Sequence, residues 1–175
     1  MRIRHSYLLA VSAMFASAGN SAVHIAIPWL VLEITGSSAN AGVVLGISGF
    51  SVIFTAPIIG GLIAVLGARP VSIWADIISA ASVLLFPIVG SLFGLNLASL
   101  LIIAIAGALF DPAGATARKS LIQAVAERDG LSLTKFNGTY EAAATIGTVI
   151  GPTGAALAIS FVGINTTFYL IAIVF

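Results

Sequence analysis

The chain has 175 residues, of which 59% are hydrophobic and 7% are charged, and its formal net charge is +1. Soluble domains carry about 25% charged residues, so a mean hydropathy of +1.16 excludes a soluble fold and predicts an integral membrane protein. The net charge is too small to suggest a nucleic-acid partner, and the absence of cysteine excludes disulfides, cysteine metal ligands and cysteine nucleophiles.

Apolar stretches long enough to cross a membrane follow one another along the chain. About 20 helical residues cross the roughly 30 Å hydrocarbon core. We therefore predict an all-α integral membrane bundle of five complete transmembrane helices and a truncated sixth. The predicted spans are residues 7–32, 40–66, 71–93, 97–117 and 138–162, with 166–175 as the incomplete last one. The first is too long for a signal-peptide core and is expected to be retained. A chain that stops at half a span is expected to be truncated or a fragment of a longer one.

The basic residues predict the orientation of the bundle. Cytoplasmic loops retain Lys and Arg during insertion. With a cytoplasmic amino terminus and a cytoplasmic loop at 118–137, all basic residues lie inside, and the outer turns at 33–39, 94–96 and 163–165 contain none. These basic residues are Arg2, Arg4, Arg69, Arg118, Lys119, Arg128 and Lys135. We therefore predict a multi-pass protein of the cell membrane with its amino terminus in the cytoplasm.

Glycines four residues apart occur within the spans, as in the pairs Gly42 with Gly46 and Gly147 with Gly151. Helices in lipid gain no hydrophobic drive from meeting each other, so small residues that let two backbones approach must supply the contact. Generic helix packing is sufficient to explain any single pair. Together the pairs predict a compact bundle rather than separate anchors.

Several short sequences resemble those of one transporter family. They are Ile-Pro-Trp-Leu at 27–30, Thr-Gly-Ser at 35–37, the turn at 60–71, Ala-Asp at 75–76, Phe-Asp-Pro-Ala at 110–113 and Asn-Gly-Thr-Tyr-Glu-Ala at 137–142. Over its whole length the chain resembles the major facilitator superfamily, and most closely its drug, macrolide and siderophore exporter branch. Members of that superfamily have two six-helix halves. The resemblance implies that this chain is the amino-terminal half, cut inside its sixth helix.

The same family places a motif between its second and third helices: a glycine, a leucine two residues on, an aspartate two further, then a glycine and basic residues. The positions that match are Gly60, Leu62, Gly67 and Arg69. Ala64 stands where the aspartate belongs, and Ala68 where a basic residue is usual. The resemblance assigns this motif to a charge network that holds the cytoplasmic side closed. Without its aspartate, we expect that task to be weaker or moved to other residues.

A second family signature, in the fifth helix of exporters, is similar to a stretch of small residues here. The matching residues, which the resemblance assigns to helix packing, are Gly147, Gly151 and Pro152, followed by Gly154, Ala155 and Ala156. The family's arginine in the fourth helix has no counterpart, since Ile103 lies four residues before Gly107. The resemblance therefore leaves the proton mechanism without its arginine.

Polar residues form a stripe along the first span. Ser17, Asn20, Ser21 and His24 repeat at three- and four-residue steps, which places them on one helical face. Polar groups within a bilayer are costly unless they face the bundle or a water-filled cavity. We expect this face to point inward and to line the substrate path, with His24 as a proton acceptor. The alternative is a helix interface with a hydrogen-bonded histidine.

Three carboxylates are predicted near one depth on adjacent helices, at the cytoplasmic end. They are Asp76, Asp111 and Glu141, and the basic residues Arg69 and Arg118 are close in sequence. Ion pairs at this level predict a cytoplasmic gate that rearranges as the bundle rocks. The alternative is a set of interfacial charges in contact with water and lipid headgroups.

The sequence contains no pattern typical of catalysis. It has no phosphate-cradling loop with lysine, its two histidines, His5 and His24, are too far apart to suggest a metal pair, and its serines lack a nearby histidine base. We predict no catalytic residue, no metal site and no cofactor, and therefore a protein that is not an enzyme.

Two functions stay open. The first is half of a secondary active transporter that exports a hydrophobic or amphipathic small molecule, drug-like or siderophore-like, by ion- or proton-coupled alternating access. Its partners would be membrane lipid, the substrate and a missing carboxy-terminal half or another membrane subunit. The second is a non-transporting truncated fragment, or a small subunit that packs on another membrane protein.

Overall fold

The computed structural model describes residues 5–175, apart from the side chains at positions 51, 52, 54 and 56. Arg2 and Arg4, which the orientation prediction uses, lie outside the described residues. The described chain is almost wholly helical. Its helices are α1 His5–Thr35, α2 Ser38–Leu66, α3 Ala68–Phe93, α4 Leu97–Ala108, α5 Asp111–Ser120, α6 Ile122–Asp129 and α7 Leu133–Val174.

Short, well-capped turns separate these helices. The Ser37 side chain accepts a hydrogen bond from the backbone of Asn40 at the start of α2. Asn96 and Ser99 form a reciprocal capping box at the start of α4, with N–O distances of 2.9 and 3.0 Å. Between α2 and α3 the chain turns at Gly67, whose φ of +85° strongly favours a residue without a Cβ.

Length and hydropathy make four continuous helical stretches of the described chain able to cross a membrane. They are His5–Thr35, Ala68–Phe93, Leu97–Asp129 and Leu133–Val174. Within α2, two shorter apolar segments, Ser38–Phe50 and Pro57–Leu66, flank the positions with undescribed side chains. Large apolar side chains cover the outside of the bundle. This surface fits contact with lipid, so the fold is an all-helical membrane bundle.

The stretch from α4 to α6 is interrupted twice, by a turn at Leu109 and Phe110 between α4 and α5 and by a turn at Leu121 between α5 and α6. Pro112 lies in the first turn of α5. The charged segment 118–137, expected as a loop, is largely helical, because α6 buries Ile122 and Ala126 against α1 and α7. The amphipathic helix α6 thus covers the end of the bundle at which the described parts of α1 and α7 begin.

The last helix, α7, bends at Gly163. This residue has φ +79° and ψ +166°, which are not helical values, so α7 consists of two helical arms, 133–162 and 164–174. The second arm returns to the core, where the ring of Phe168 stacks on Phe86 with 4.9 Å between centroids. Both rings are almost fully buried.

The tightest packing in the bundle joins α1 to α7. A Cβ added to Gly147 would overlap the carbonyl oxygen of Met14, and one added to Gly151 would overlap that of Ala18. The two backbones are therefore in direct contact, and glycine is required at both positions. By contrast, nothing lies within 4 Å of a Cβ added to Gly154.

Candidate functional site

A cavity of about 390 Å³ lies among α1, α2, α3 and the α4–α5 stretch. Its wall is mostly apolar, with a few polar side chains. The polar residues that line it are His24, Ser48, Ser79, Ser82 and Asp111. Its volume is in the range of roughly 300–1,000 Å³ that small-molecule sites occupy.

Asp111 is the carboxylate of this cavity. It begins α5 directly after the turn at Leu109 and Phe110, and the Ser79 hydroxyl donates to its Oδ1 at 2.7 Å. Ser79 itself is buried on α3. The bond therefore ties α5 to α3 and fixes the carboxyl group at the cavity wall, where His24 on α1 is the other titratable residue.

The polar stripe of α1 divides in the structure. His24 lines the cavity. Asn20 is half-buried, and its Oδ1 has no hydrogen-bond partner among the described residues. Ser17 and Ser21 are also half-buried and form no side-chain hydrogen bond to another described helix. The unpartnered Asn20 oxygen is costly in a dry interior, so it marks the same region of α1 as a place for a polar ligand or water.

The charges predicted as one network form separate pairs. Arg118, on α5, donates from Nη1 to both carboxylate oxygens of Asp76 on α3, at 2.8 and 2.7 Å. Its side chain is 4% exposed, and that of Asp76 is 23% exposed. Lys119 pairs with Glu141 at 2.9 Å, but both side chains are about half exposed. Arg69 is exposed and forms no ion pair with any residue in 5–175.

Two neighbours of the buried pair were not indicated by the sequence analysis. Gly114 packs against it, because a Cβ at this position would lie 3.2 Å from Arg118 Nη2 and 3.3 Å from Asp76 Oδ1. Tyr140, almost fully buried on α7, has its hydroxyl close to Arg118. The signal for Gly114 is its spacing, since it precedes Arg118 by four residues and so lies on the same helical face.

A polar stripe on α3 was also missed. Ser72, Ser79 and Ser82 are buried among its apolar residues, on the same side as Asp76. The three- and four-residue steps between Asp76, Ser79 and Ser82 are the signal that could have found it. Along α3, Asp76 forms the ion pair with Arg118, Ser79 donates to Asp111, and Ser79 and Ser82 line the cavity.

The family's glycine positions differ in their surroundings. Gly147 and Gly151 contact α1, with Pro152 next in the same helix, and Gly67 makes the turn between α2 and α3. Gly60 and Gly154 would meet nothing within 4 Å if they carried a Cβ. Gly147 and Gly151 therefore face a packed interface, whereas Gly60 and Gly154 face an open surface.

A bundle of membrane-length helices around an apolar cavity with a few titratable groups is the architecture of a multi-pass membrane transport protein. The sequence profile described as the Major Facilitator Superfamily matches residues 9–175. The chain belongs to this superfamily, which confirms the resemblance inferred from its motifs. It is a family of transporters and not of enzymes.

Two relatives illustrate the relationship. The chain is 37% identical over 163 residues to the multidrug efflux pump Tap of Mycolicibacterium fortuitum, an alignment that covers 91% of this chain and 40% of the pump. It is 35% identical over 173 residues to the multidrug efflux pump Tap of Mycobacterium tuberculosis (strain ATCC 25618 / H37Rv), covering 97% of this chain and 41% of that one. The chain thus spans about two fifths of the length of these relatives. No solved structure matches it.

Proposed function

We propose that the chain is the amino-terminal bundle of a secondary transporter that exports a hydrophobic or amphipathic small molecule. The observation that carries this proposal is the cavity on which His24 and Asp111 converge. A mostly apolar wall suits an amphipathic compound, and a carboxyl group beside an imidazole supplies groups that exchange protons. The relatives named as multidrug efflux pumps support the direction of transport.

The proposed arrangement has five complete spans and part of a sixth. The helix bounds support it, because the stretch 97–120 leads through α6 into α7, and α7 bends at Gly163 between the proposed fifth and sixth spans. The proposed amino terminus is cytoplasmic, because this orientation leaves the outer turns without a basic residue. The cell membrane is the proposed location.

The substrate is proposed to bind near the membrane midplane, between this bundle and the remainder of the transporter. The length of the relatives supports such a remainder, since the aligned part is 40% of the M. fortuitum pump. Open surfaces at Gly60 and Gly154 leave room for close contact with further helices. We expect the 175-residue chain by itself not to transport, because alternating access requires two bundles that move against each other.

The charge pairs are proposed to hold the cytoplasmic side. Asp76 with Arg118 is the buried pair, and Lys119 with Glu141 is the exposed one. An exposed pair can break and re-form at small cost, so Lys119 with Glu141 is the part of the proposed gate that rearranges. Asp76 with Arg118 instead keeps α3 and α5 together within the bundle.

The proposal is tested in the full-length transporter, in cells that accumulate a fluorescent amphipathic dye. Asp111→Asn should abolish energy-dependent efflux, and His24→Ala should change the range of exported dyes or the coupling to the ion gradient, both at normal protein level. Glu127→Gln is the matched control, since Glu127 is an exposed acid held by Gln123 on its own helix. Unchanged efflux in both cavity variants would refute the proposed path.

A further inference from the structure

A second concave surface lies between α1 and α7, toward the end of α1 at Thr35. We call this surface, of about 380 Å³, the outer groove. On one side it is lined by Trp29 and Glu33 of α1, and on the other by Ala156, Ser160 and Gly163 of α7. The small residues of α7 and the bend at Gly163 leave the space that the groove occupies.

Glu33 is an isolated charge. The outer turns proposed above contain no other charged residue. It forms no ion pair and no hydrogen bond with any residue in the part of the chain that the structure describes. The contact of His5 with Asp129, at the other end of α1, is about 40 Å away along the helix axis. The potential in the outer groove is therefore negative.

Trp29 supplies the second half of a cation site. It precedes Glu33 by one helical turn, which puts their Cβ atoms roughly 5–6 Å apart on the same face of α1. Trp29 is 51% exposed. A cation held within about 6 Å of an indole ring is attracted by the negative face of the ring. One ligand can therefore lie over the ring of Trp29 while its charge faces the carboxylate of Glu33.

We propose that the outer groove binds organic cations, of the quaternary ammonium or protonated tertiary amine type, from the outer side of the membrane. Charge complementarity selects the ligand, because a neutral compound gains nothing from Glu33 and an anion is repelled. The sidedness rests on the topology of the proposed function. The binding itself does not depend on transport or on Asp111.

The test uses thiol reagents on cells that produce the full chain, which has no native cysteine in residues 1–175. Ser160→Cys places a thiol in the groove, and Ser91→Cys is the matched control. Both serines are exposed, and each donates only to a backbone oxygen three residues earlier, Leu157 and Ile88 respectively. Two membrane-impermeant methanethiosulfonates are compared, one with a trimethylammonium group and one with a sulfonate.

The cationic reagent should modify the Ser160→Cys variant at least about tenfold faster, relative to the anionic reagent, than it modifies the Ser91→Cys variant. Adding Glu33→Gln should remove this preference, and benzyltrimethylammonium should protect the thiol only when Glu33 is present. Adding Trp29→Leu instead should keep the charge preference and lose the protection. These two second variants separate the charge from the ring.

Three results would overturn the proposal: an equal rate ratio at both positions, a ratio unchanged by Glu33→Gln, or an unreactive thiol in the Ser160→Cys variant. The last result would mean that lipid or the remainder of the transporter fills the groove.

A charge preference seen only in inside-out vesicles would refute the proposed topology and the outer location of the groove. Dye efflux tests the proposed function separately.

Discussion

Arg118 donates to both carboxylate oxygens of Asp76, at 2.8 and 2.7 Å, across the interface between α5 and α3. Because Arg118 is almost fully buried, its positive charge is compensated by the carboxylate of Asp76 and not by water. The pair is 42 residues apart in sequence, so it closes a long segment that includes α4 and the turn at Asn96. The pair therefore holds α3 and α5 together within the bundle.

Asp76→Asn should destabilise the bundle by about 3 kcal/mol, because removal of one partner leaves a buried charge uncompensated. The free energy of unfolding in detergent mixtures measures the effect. Glu141→Gln is the matched control, since it breaks an exposed pair whose loss should cost within about 1 kcal/mol. Equal losses in the two variants would show that burial does not distinguish the pairs.

Gly147→Ala should prevent correct packing of α7 on α1. Its new Cβ would overlap the carbonyl oxygen of Met14, and backbone cannot move aside as a flexible side chain can. Gly154→Ala, in the same helix, adds its Cβ to open space and should be neutral or raise helix stability by up to about 1 kcal/mol. The yield of monodisperse protein and its unfolding midpoint are compared for the Gly147→Ala and Gly154→Ala variants. A well-packed Gly147→Ala variant would contradict the direct backbone contact.

Asp129→Asn should loosen the first turn of α1. Asp129 accepts the backbone N–H of Ser6 at 2.8 Å and lies 3.4 Å from the ring of His5, so α6 caps α1 from outside. An anion at a helix amino terminus also interacts favourably with the helix dipole. Amide hydrogen exchange at Ser6 should become faster in the variant. Glu127→Gln, two residues away, should leave that exchange unchanged.

Cysteines placed next to the turns, within the first two residues of α2, α4 and α7, test the orientation. Ser38→Cys and Ala98→Cys should react with an impermeant thiol reagent on intact cells, and Thr134→Cys should react only after the membrane is opened. All three positions are exposed in the structure. The expectation follows from the absence of basic residues in the turns at 33–39 and 94–96. Reaction of the Thr134→Cys variant from outside would reverse the proposed topology.

The all-helical membrane bundle and its family could be predicted from the sequence, because hydropathy and short motifs are local signals. The pairing of charges could not. Asp76, Asp111 and Arg118 are all visible in the sequence, but their depths alone do not decide which carboxylate the arginine meets. That choice depends on the turn at Leu109 and Phe110, which places Asp111 at Ser79 and leaves Arg118 to Asp76.

Helix surfaces set a similar limit. Gly147 and Gly154 are glycines of one helix seven residues apart, and the sequence treats them alike. One faces a neighbouring backbone and the other an open surface. Their difference depends on the crossing of α1 with α7, which arises from contacts spread over both helices. No local pattern contains this information.

Pro112 has a consequence for the solvent inside the cavity. A proline has no N–H, so it cannot donate to the carbonyl oxygen of Ala108 four residues earlier, where the helix is broken. A carbonyl group at membrane depth is stable only with another donor. Ala108 and Pro112 both line the cavity, where water can provide that donor. The break in the backbone thus leaves a carbonyl group without its usual helical donor at the cavity wall, where a water molecule or a polar ligand can bind it.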